Sequence, residues 1–270
     1  MAPRRIANVS DFKNRWLLSG CSIFGCLIAV VAVPVNGASA AETNNTELHF
    51  INPIITEEAL PDEPGELTLR LGTEYRQRGS EANGSLPYVE ACFGLIERVG
   101  ATVNVPFAYQ KEMDDEQHGL GDISARLKFL AVRPSSNTPA VVFGVQAVFP
   151  TGDHSLGLGE GAYELTPYVA LLKEFGPLLL QGDSGWSKQV TGERKAAWTY
   201  NWAAAVPVYR RNLYLLTEIN GDCGSPNHAA VAPGFKYLFS DRFSAGAVVP
   251  IGLNRHTDAW GIVTQFQFEF

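Results

Sequence analysis

The chain ends in the sequence Trp260-Gly-Ile-Val-Thr-Gln-Phe-Gln-Phe-Glu-Phe270, in which apolar residues alternate with polar ones. A period of two is typical of a β-strand that has one apolar and one polar face. Three phenylalanines, Phe266, Phe268 and Phe270, share the apolar face, and the third is the last residue of the sequence. In a soluble protein such a face would pack into a core, whereas in a membrane barrel it would contact lipid.

The same alternation returns along most of the chain, and no segment has a convincing helical period. Each alternating segment is close to the ~9–11 residues that a tilted strand needs to cross a bilayer. About twelve strands are predicted, near residues 66–76, 87–95, 98–109, 121–130, 139–149, 162–173, 177–186, 196–207, 212–221, 229–238, 242–251 and 259–270.

The connections between these segments differ in length according to their parity. Those after even-numbered strands are short or compact, such as residues 96–97 and 175–176, with 131–138 the longest. Those after odd-numbered strands are longer and polar, such as 110–121 and 150–161. This parity predicts an all-β fold, a transmembrane antiparallel up-and-down β-barrel with short periplasmic turns and longer external loops. A soluble β-protein, the alternative, gives its loops no reason to sort in this way.

The N-terminal region predicts export. Residues 1–40 combine a basic head, an apolar run from Trp16 to Val35 and the small residues Ala38-Ser39-Ala40, which indicates a signal peptide cleaved after Ala40. The alternatives are an uncleaved anchor and a lipid-bearing Cys21, although the apolar run does not precede Cys21 as a lipoprotein box requires. We therefore divide the chain into a signal peptide (1–40), an acidic, aperiodic leader or plug segment (41–65) and an outer-membrane barrel (66–270).

Composition and motifs argue against several functions. A formal charge of −7 disfavours a nucleic-acid partner. The sequence Gly182-Asp183-Ser184-Gly185 resembles a serine-protease loop but lacks an upstream His-Cys motif, and neighbouring His154 and Ser155 do not by themselves position a base against a nucleophile. The histidines of the predicted external loops lack metal-ligand spacing; they are His118, His154, His228 and His256. We expect no catalytic residue, metal or cofactor.

The polar face of each predicted strand supplies the candidate site. In a barrel coated by lipid this face points into the lumen, where charges of both signs can pair because an unpaired buried charge is costly. These side chains either brace the barrel or line a solute path. The candidate ligand or lumen residues are Arg70, Glu90, Asn104, Asp122, Arg126, Glu164, Tyr168, Glu218 and Lys236, and the same face carries Glu74, Lys128, Asp183 and Asn201.

Several blocks of sequence resemble one family of outer-membrane barrels. They are Pro87–Tyr109 (PYVEACFGLIERVGATVNVPFAY), Gly119–Phe129 (GLGDISARLKF), Phe149–Asp153 (FPTGD) and Pro233–Gly252 (PGFKYLFSDRFSAGAVVPIG). The family is labelled meta-pathway of phenol degradation, or transporter, and the resemblance covers about Glu66 to Phe270. It implies a barrel that passes small, often aromatic or hydrophobic, compounds, and it carries over no catalytic or binding residue.

These observations together predict an outer-membrane protein that passively transports or captures a small solute. Its expected partners are outer-membrane lipid, the small-molecule solute and the outer-membrane assembly machinery, which would recognise the terminal aromatic residue Phe270. A structural or adhesive barrel without transport is the first alternative. An embedded lipid-acting enzyme that uses His154 and Ser155 is the second.

Overall fold

A computed structural model describes residues 52–191, 196–209 and 212–270. The predicted signal peptide and cleavage position, and the first part of the predicted leader, lie outside these residues. The described residues belong to one compact unit. Among them, no helix is long and apolar enough to cross a membrane.

The described chain consists almost entirely of β-strands, with one 3-10 turn at His154–Leu156. The strands are β1 Leu67–Arg78, β2 Glu81–Ile96, β3 Val99–Glu112, β4 Asp115–Leu120, β5 Ile123–Val132, β6 Ala140–Phe149, β7 Glu164–Phe175, β8 Leu178–Gln189, β9 Ala197–Tyr209, β10 Leu213–Asp222, β11 His228–Ser240, β12 Phe243–Val248, β13 Ile251–Gly252 and β14 Trp260–Glu269.

The sheet closes on itself. Every pairing is antiparallel, and β1 pairs with β14 from Thr68 opposite Glu269 to Gln77 opposite Trp260. Strands β4 and β5 both pair with β3, and β12 and β13 both pair with β11 and β14, so each of these couples forms one interrupted wall strand. The barrel therefore has twelve strand positions, which confirms the predicted fold class and strand number.

Burial alternates along the strands with the period read from the sequence. In β10, Leu215 is 50% exposed while Glu218 is 0% exposed. An apolar exterior around a polar interior is the arrangement of a barrel whose solvent is lipid. The outward-facing apolar side chains include Val89, Phe93, Val103, Phe107, Leu127, Phe129, Phe143, Leu165, Val169, Ile219, Phe235, Ile262 and Phe266.

Connections at one end of the barrel are short, such as Glu97-Arg98 and Gly176-Pro177. At the other end two predicted loops are mostly strand. Residues 77–86 form the end of the β1–β2 hairpin around the turn Gly79-Ser80, and 110–121 form the β3–β4 hairpin. The residues of these hairpins do not alternate between apolar and polar, so the sequence predicts loops there. A hairpin beyond the bilayer needs backbone hydrogen bonds but no apolar face.

Candidate functional site

The interior of the barrel contains part of its own chain, residues 52–62, which we call the lumenal segment. Ile54 and Ala59 of this segment are buried in a cluster with inward-facing apolar residues of the wall. That cluster includes Val142, Leu172, Leu179, Ala205, Leu216, Ala232, Val248 and Val263. Part of the inner face is thus apolar because it packs against the segment, a feature that the alternation of polar residues does not reveal.

The segment joins β1 through a turn that crosses β2 at Gly94. The Gly65 amide donates to the Gly94 carbonyl at 2.9 Å, and the Gly94 amide donates to the Glu66 carbonyl at 3.0 Å. A Cβ atom on residue 94 would lie 1.7 Å from the Glu63 carbonyl oxygen. Only glycine lets the backbone approach so closely, and this contact fixes where the segment meets the wall.

Glu218 holds the segment by its backbone. Its carboxylate accepts hydrogen bonds from the amides of Ile54 at 2.8 Å, Ile55 at 3.1 Å and Thr56 at 2.6 Å. Hydrogen bonds to a charged group are stronger than those between neutral groups. Three consecutive amides therefore satisfy a carboxylate that would otherwise be a buried, uncompensated charge.

Lys236, which is 2% exposed, also holds the segment, but through an ammonium group instead of a carboxylate. Its ammonium donates to the Asn52 carbonyl oxygen and to Gln267 Oε1, both at 3.0 Å. Since Lys236 lies on β11 and Glu218 on the adjacent β10, neighbouring strands contribute an acceptor and a donor for main-chain groups of the segment. We call these two side chains the backbone clasp.

A second set of contacts uses charged side chains of the segment. Arg70 pairs with Glu58 and with Glu90, the latter at 2.7 Å. Arg126 pairs with Glu57, lies 3.4 Å from Glu90 and donates to Gln146 at 2.6 Å. The Lys128 ammonium donates to the Glu58 carbonyl oxygen at 3.2 Å. We call this set the charge cluster; its wall residues are Arg70, Glu90, Arg126 and Lys128, and its segment residues are Glu57 and Glu58.

Two cavities lie against the segment and share a boundary. One, of about 170 Å³, is lined by residues that include Arg70, Glu90 and Asn104. The other, of about 250 Å³, is lined by residues that include Glu164 and Tyr168. Ile55, Glu57 and Arg126 line both cavities, so the segment and the arginine that binds it form the partition between them.

The predicted lumen residues, apart from Asp122, therefore divide into three groups. Glu218 and Lys236 contact the segment backbone, and Arg70, Glu90 and Arg126 belong to the charge cluster. Asn104, Glu164 and Tyr168 line the cavities. Asp122 instead braces the loop after β6, where it accepts from the amides of Gly152 at 2.9 Å and Glu160 at 2.7 Å. Their part in solute passage stays a prediction.

Sequence reasoning missed the two segment carboxylates. Glu57 and Glu58 lie in an aperiodic stretch, and Glu57 is 69 residues from its partner Arg126. The signal that could have found them is the adjacent acidic pair one residue after Ile54-Ile55, within a stretch that the sequence predicts to be a leader or plug.

The residues considered for catalysis or metal binding have separate partners. His154 Nδ1 lies 3.0 Å from the Gly159 carbonyl oxygen, while the Ser155 hydroxyl donates to Asp153 at 2.6 Å. His118 lies in β4 rather than in a loop and packs against Phe107. Within the described part of the chain, no group of three or more His, Cys, Asp or Glu could hold a metal ion.

A family model decides the classification of the chain. The model described as "Putative MetA-pathway of phenol degradation" matches residues 67–270. The chain belongs to this family. The match confirms the resemblance drawn from the sequence blocks and begins where the lumenal segment has ended and β1 starts. No curated protein matches the chain.

Several solved outer-membrane proteins share the barrel fold of this chain. An outer membrane channel from Pseudomonas putida F1 aligns with a TM-score of 0.57 and 13% identity, over 82% of this chain and 100% of that one. The KdgM porin aligns with a TM-score of 0.55 and 8% identity, over 75% and 99%. The NanC porin aligns with a TM-score of 0.53 and 8% identity, over 75% and 98%. At these identities the likeness is one of fold.

Proposed function

We propose that this member of the phenol-degradation family is an outer-membrane channel that passively passes or captures a small solute. Residues 52–62 act in it as a displaceable plug. The observation that carries the proposal is the position of this segment inside the barrel, where the backbone clasp and the charge cluster hold it. The segment is held by hydrogen bonds and ion pairs, which can exchange for contacts with a solute or with water.

The surroundings of the segment agree with a solute path. The cavities are lined mainly by polar and charged side chains. Such a lining is typical of a barrel that conducts solutes, whereas a barrel without a channel has its interior filled by side chains. The similar solved structures include proteins named as a channel and as porins. A small aromatic or hydrophobic solute is the class that the family implies, and the outer membrane is the location that this fold requires.

A reversible lock on the segment tests the proposal. The Thr56 hydroxyl lies 3.5 Å from Asn220 Nδ2 on β10, so Thr56→Cys with Asn220→Cys places two thiols at one contact. A Cys223→Ser background removes the exposed thiol. In liposome swelling with small aromatic solutes, we expect slow permeation when the lock is oxidised and wild-type permeation after reduction.

Two results would contradict the proposal. Equal permeation of the oxidised and reduced forms would show that solutes do not need the segment to move. An absence of permeation in wild type and in every variant would favour a structural or adhesive barrel instead. The single variants Thr56→Cys and Asn220→Cys, which cannot form the lock, control for the substitutions themselves.

A further inference from the structure

Three wall residues of the charge cluster, Arg70, Glu90 and Arg126, contact one another as well as the segment. Glu90 bridges two arginines, with Oε1 accepting from Arg70 at 2.7 Å and Oε2 lying 3.4 Å from Arg126. Gln146 accepts from the Arg126 Nε at 2.6 Å. The guanidinium groups are thus oriented by wall contacts, and each also pairs with a carboxylate of the segment.

The wall part of this cluster carries excess positive charge. Arg70, Arg126 and Lys128 face one wall carboxylate, Glu90, and the two carboxylates of the segment complete the balance. Such compensation is required because an unpaired buried charge is strongly unfavourable.

The barrel wall binds one part of the segment through its backbone and another part through its acidic side chains. The backbone clasp contacts main-chain amides and a carbonyl, groups that any non-proline sequence offers. Only at Glu57 and Glu58 does the wall bind acidic side chains of the segment through arginines. A guanidinium matches the geometry of a carboxylate, and this chemistry does not depend on whether the carboxylate belongs to protein or to solute.

We propose that the charge cluster is the carboxylate-binding site of the channel and that Glu57 and Glu58 occupy it as built-in substitutes for an acidic solute. A small molecule with one or two carboxylates competes with them for Arg70 and Arg126. Because Arg126 borders both cavities, such a solute reaches the site from either one. The inference rests on the proposed channel function and adds the chemical class of the solute.

The test compares full-length channels in planar bilayers, with phthalate as the aromatic dicarboxylate probe. In E57Q/E58Q the site loses its internal acids, and we expect a reversal potential shifted toward anion selectivity. We also expect phthalate to change the current at a concentration about tenfold or more below that needed for wild type, the factor expected from one charge-assisted hydrogen bond. The matched control is E63Q, which removes an exposed carboxylate just after the same segment.

Further variants separate the possible outcomes. Adding R126Q to E57Q/E58Q should abolish the effect of phthalate, whereas phthalamide, the uncharged analogue, should have none in any variant. If E57Q/E58Q conducts but is neither anion-shifted nor more sensitive to phthalate than E63Q, the carboxylate site is wrong and the channel function stands. If neither this variant nor the reduced cysteine lock permits permeation, the channel function itself fails. Heat-modifiable gel mobility verifies folding, and E57Q or E58Q alone replaces the double variant if that does not fold.

Discussion

At the scale of single residues, Glu218 shows how the lumen treats a buried charge. The carboxylate is 0% exposed, yet its oxygens accept from three successive amides. Alternation along β10 predicts that this side chain points inward, but it does not predict a partner 164 residues away in the sequence. A polar residue in a barrel interior therefore indicates that a partner is needed and leaves the partner's identity open.

Glu218→Gln should loosen the lumenal segment. The amide side chain keeps one acceptor but places a donor against the backbone amides, so charge-assisted hydrogen bonds worth about 1.5–3 kcal/mol are lost. We expect faster basal permeation in liposome swelling, with the barrel still folded by gel mobility. Glu174→Gln, at the short-turn end of β7, removes a carboxylate elsewhere and should leave permeation unchanged. Wild-type permeation of Glu218→Gln would show that the clasp does not hold the segment.

At the scale of the strand, the two faces of β5 have opposite requirements. Leu127 is exposed on the outside near the middle of the strand, while its neighbour Lys128 is buried inside the barrel. A one-residue change of register would place the lysine in lipid. The cost of that exposure fixes the register more strongly than hydrogen bonding alone.

Leu127→Arg should hinder insertion because a charge at mid-bilayer on the lipid face costs about 2–4 kcal/mol. Val132→Arg, on an exposed residue at the end of the same strand, should cost only about 0–1 kcal/mol. Urea titration of the folded band in lipid vesicles measures both values. Equal costs at the two positions would argue that Leu127 does not lie in the bilayer core.

At the scale of the whole molecule, the closure between β1 and β14 ends at the last residue. The Phe270 amide donates to the Leu67 carbonyl at 2.9 Å, and the Phe270 side chain is 67% exposed. Phe268, by contrast, stacks on Phe243 with ring centroids 4.9 Å apart. The backbone at residue 270 thus closes the barrel while its ring lies mostly exposed.

If the outer-membrane assembly machinery recognises this ring, as the sequence predicts, Phe270→Ala should slow assembly without destabilising the assembled barrel. We expect a several-fold lower yield of heat-modifiable protein in cells and an unchanged unfolding midpoint for the fraction that assembles. Phe268→Ala should mainly lower the unfolding midpoint and have less effect on the cellular yield. It removes a stacking contact worth about 0.5–1.5 kcal/mol beyond burial. An unchanged cellular yield for Phe270→Ala would contradict a role in recognition by the assembly machinery.

The sequence predicted the strands of the barrel wall better than the contacts of the lumenal segment inside it. Alternation located all twelve wall strands, because a closed barrel in lipid imposes one pattern on every strand. It did not reveal that Glu57 and Glu58 pair with Arg126 and Arg70. The segment belongs to neither a helix nor a sheet, so its sequence carries no periodic pattern. Inward apolar residues such as Val142 and Leu216 also lacked a signal, because their reason for being apolar is the segment itself.

That apolar packing has a consequence for leakage across the membrane. If the segment leaves its place, Val142, Leu216 and their neighbours become a bare hydrophobic surface in water, and exposing it costs free energy in proportion to its area. An incoming molecule with an apolar body can cover that surface, whereas inorganic ions cannot. In the proposed channel, opening is therefore energetically linked to the arrival of a solute that replaces the segment, and the segment limits the passive escape of salts, without abolishing it, when no such solute is present.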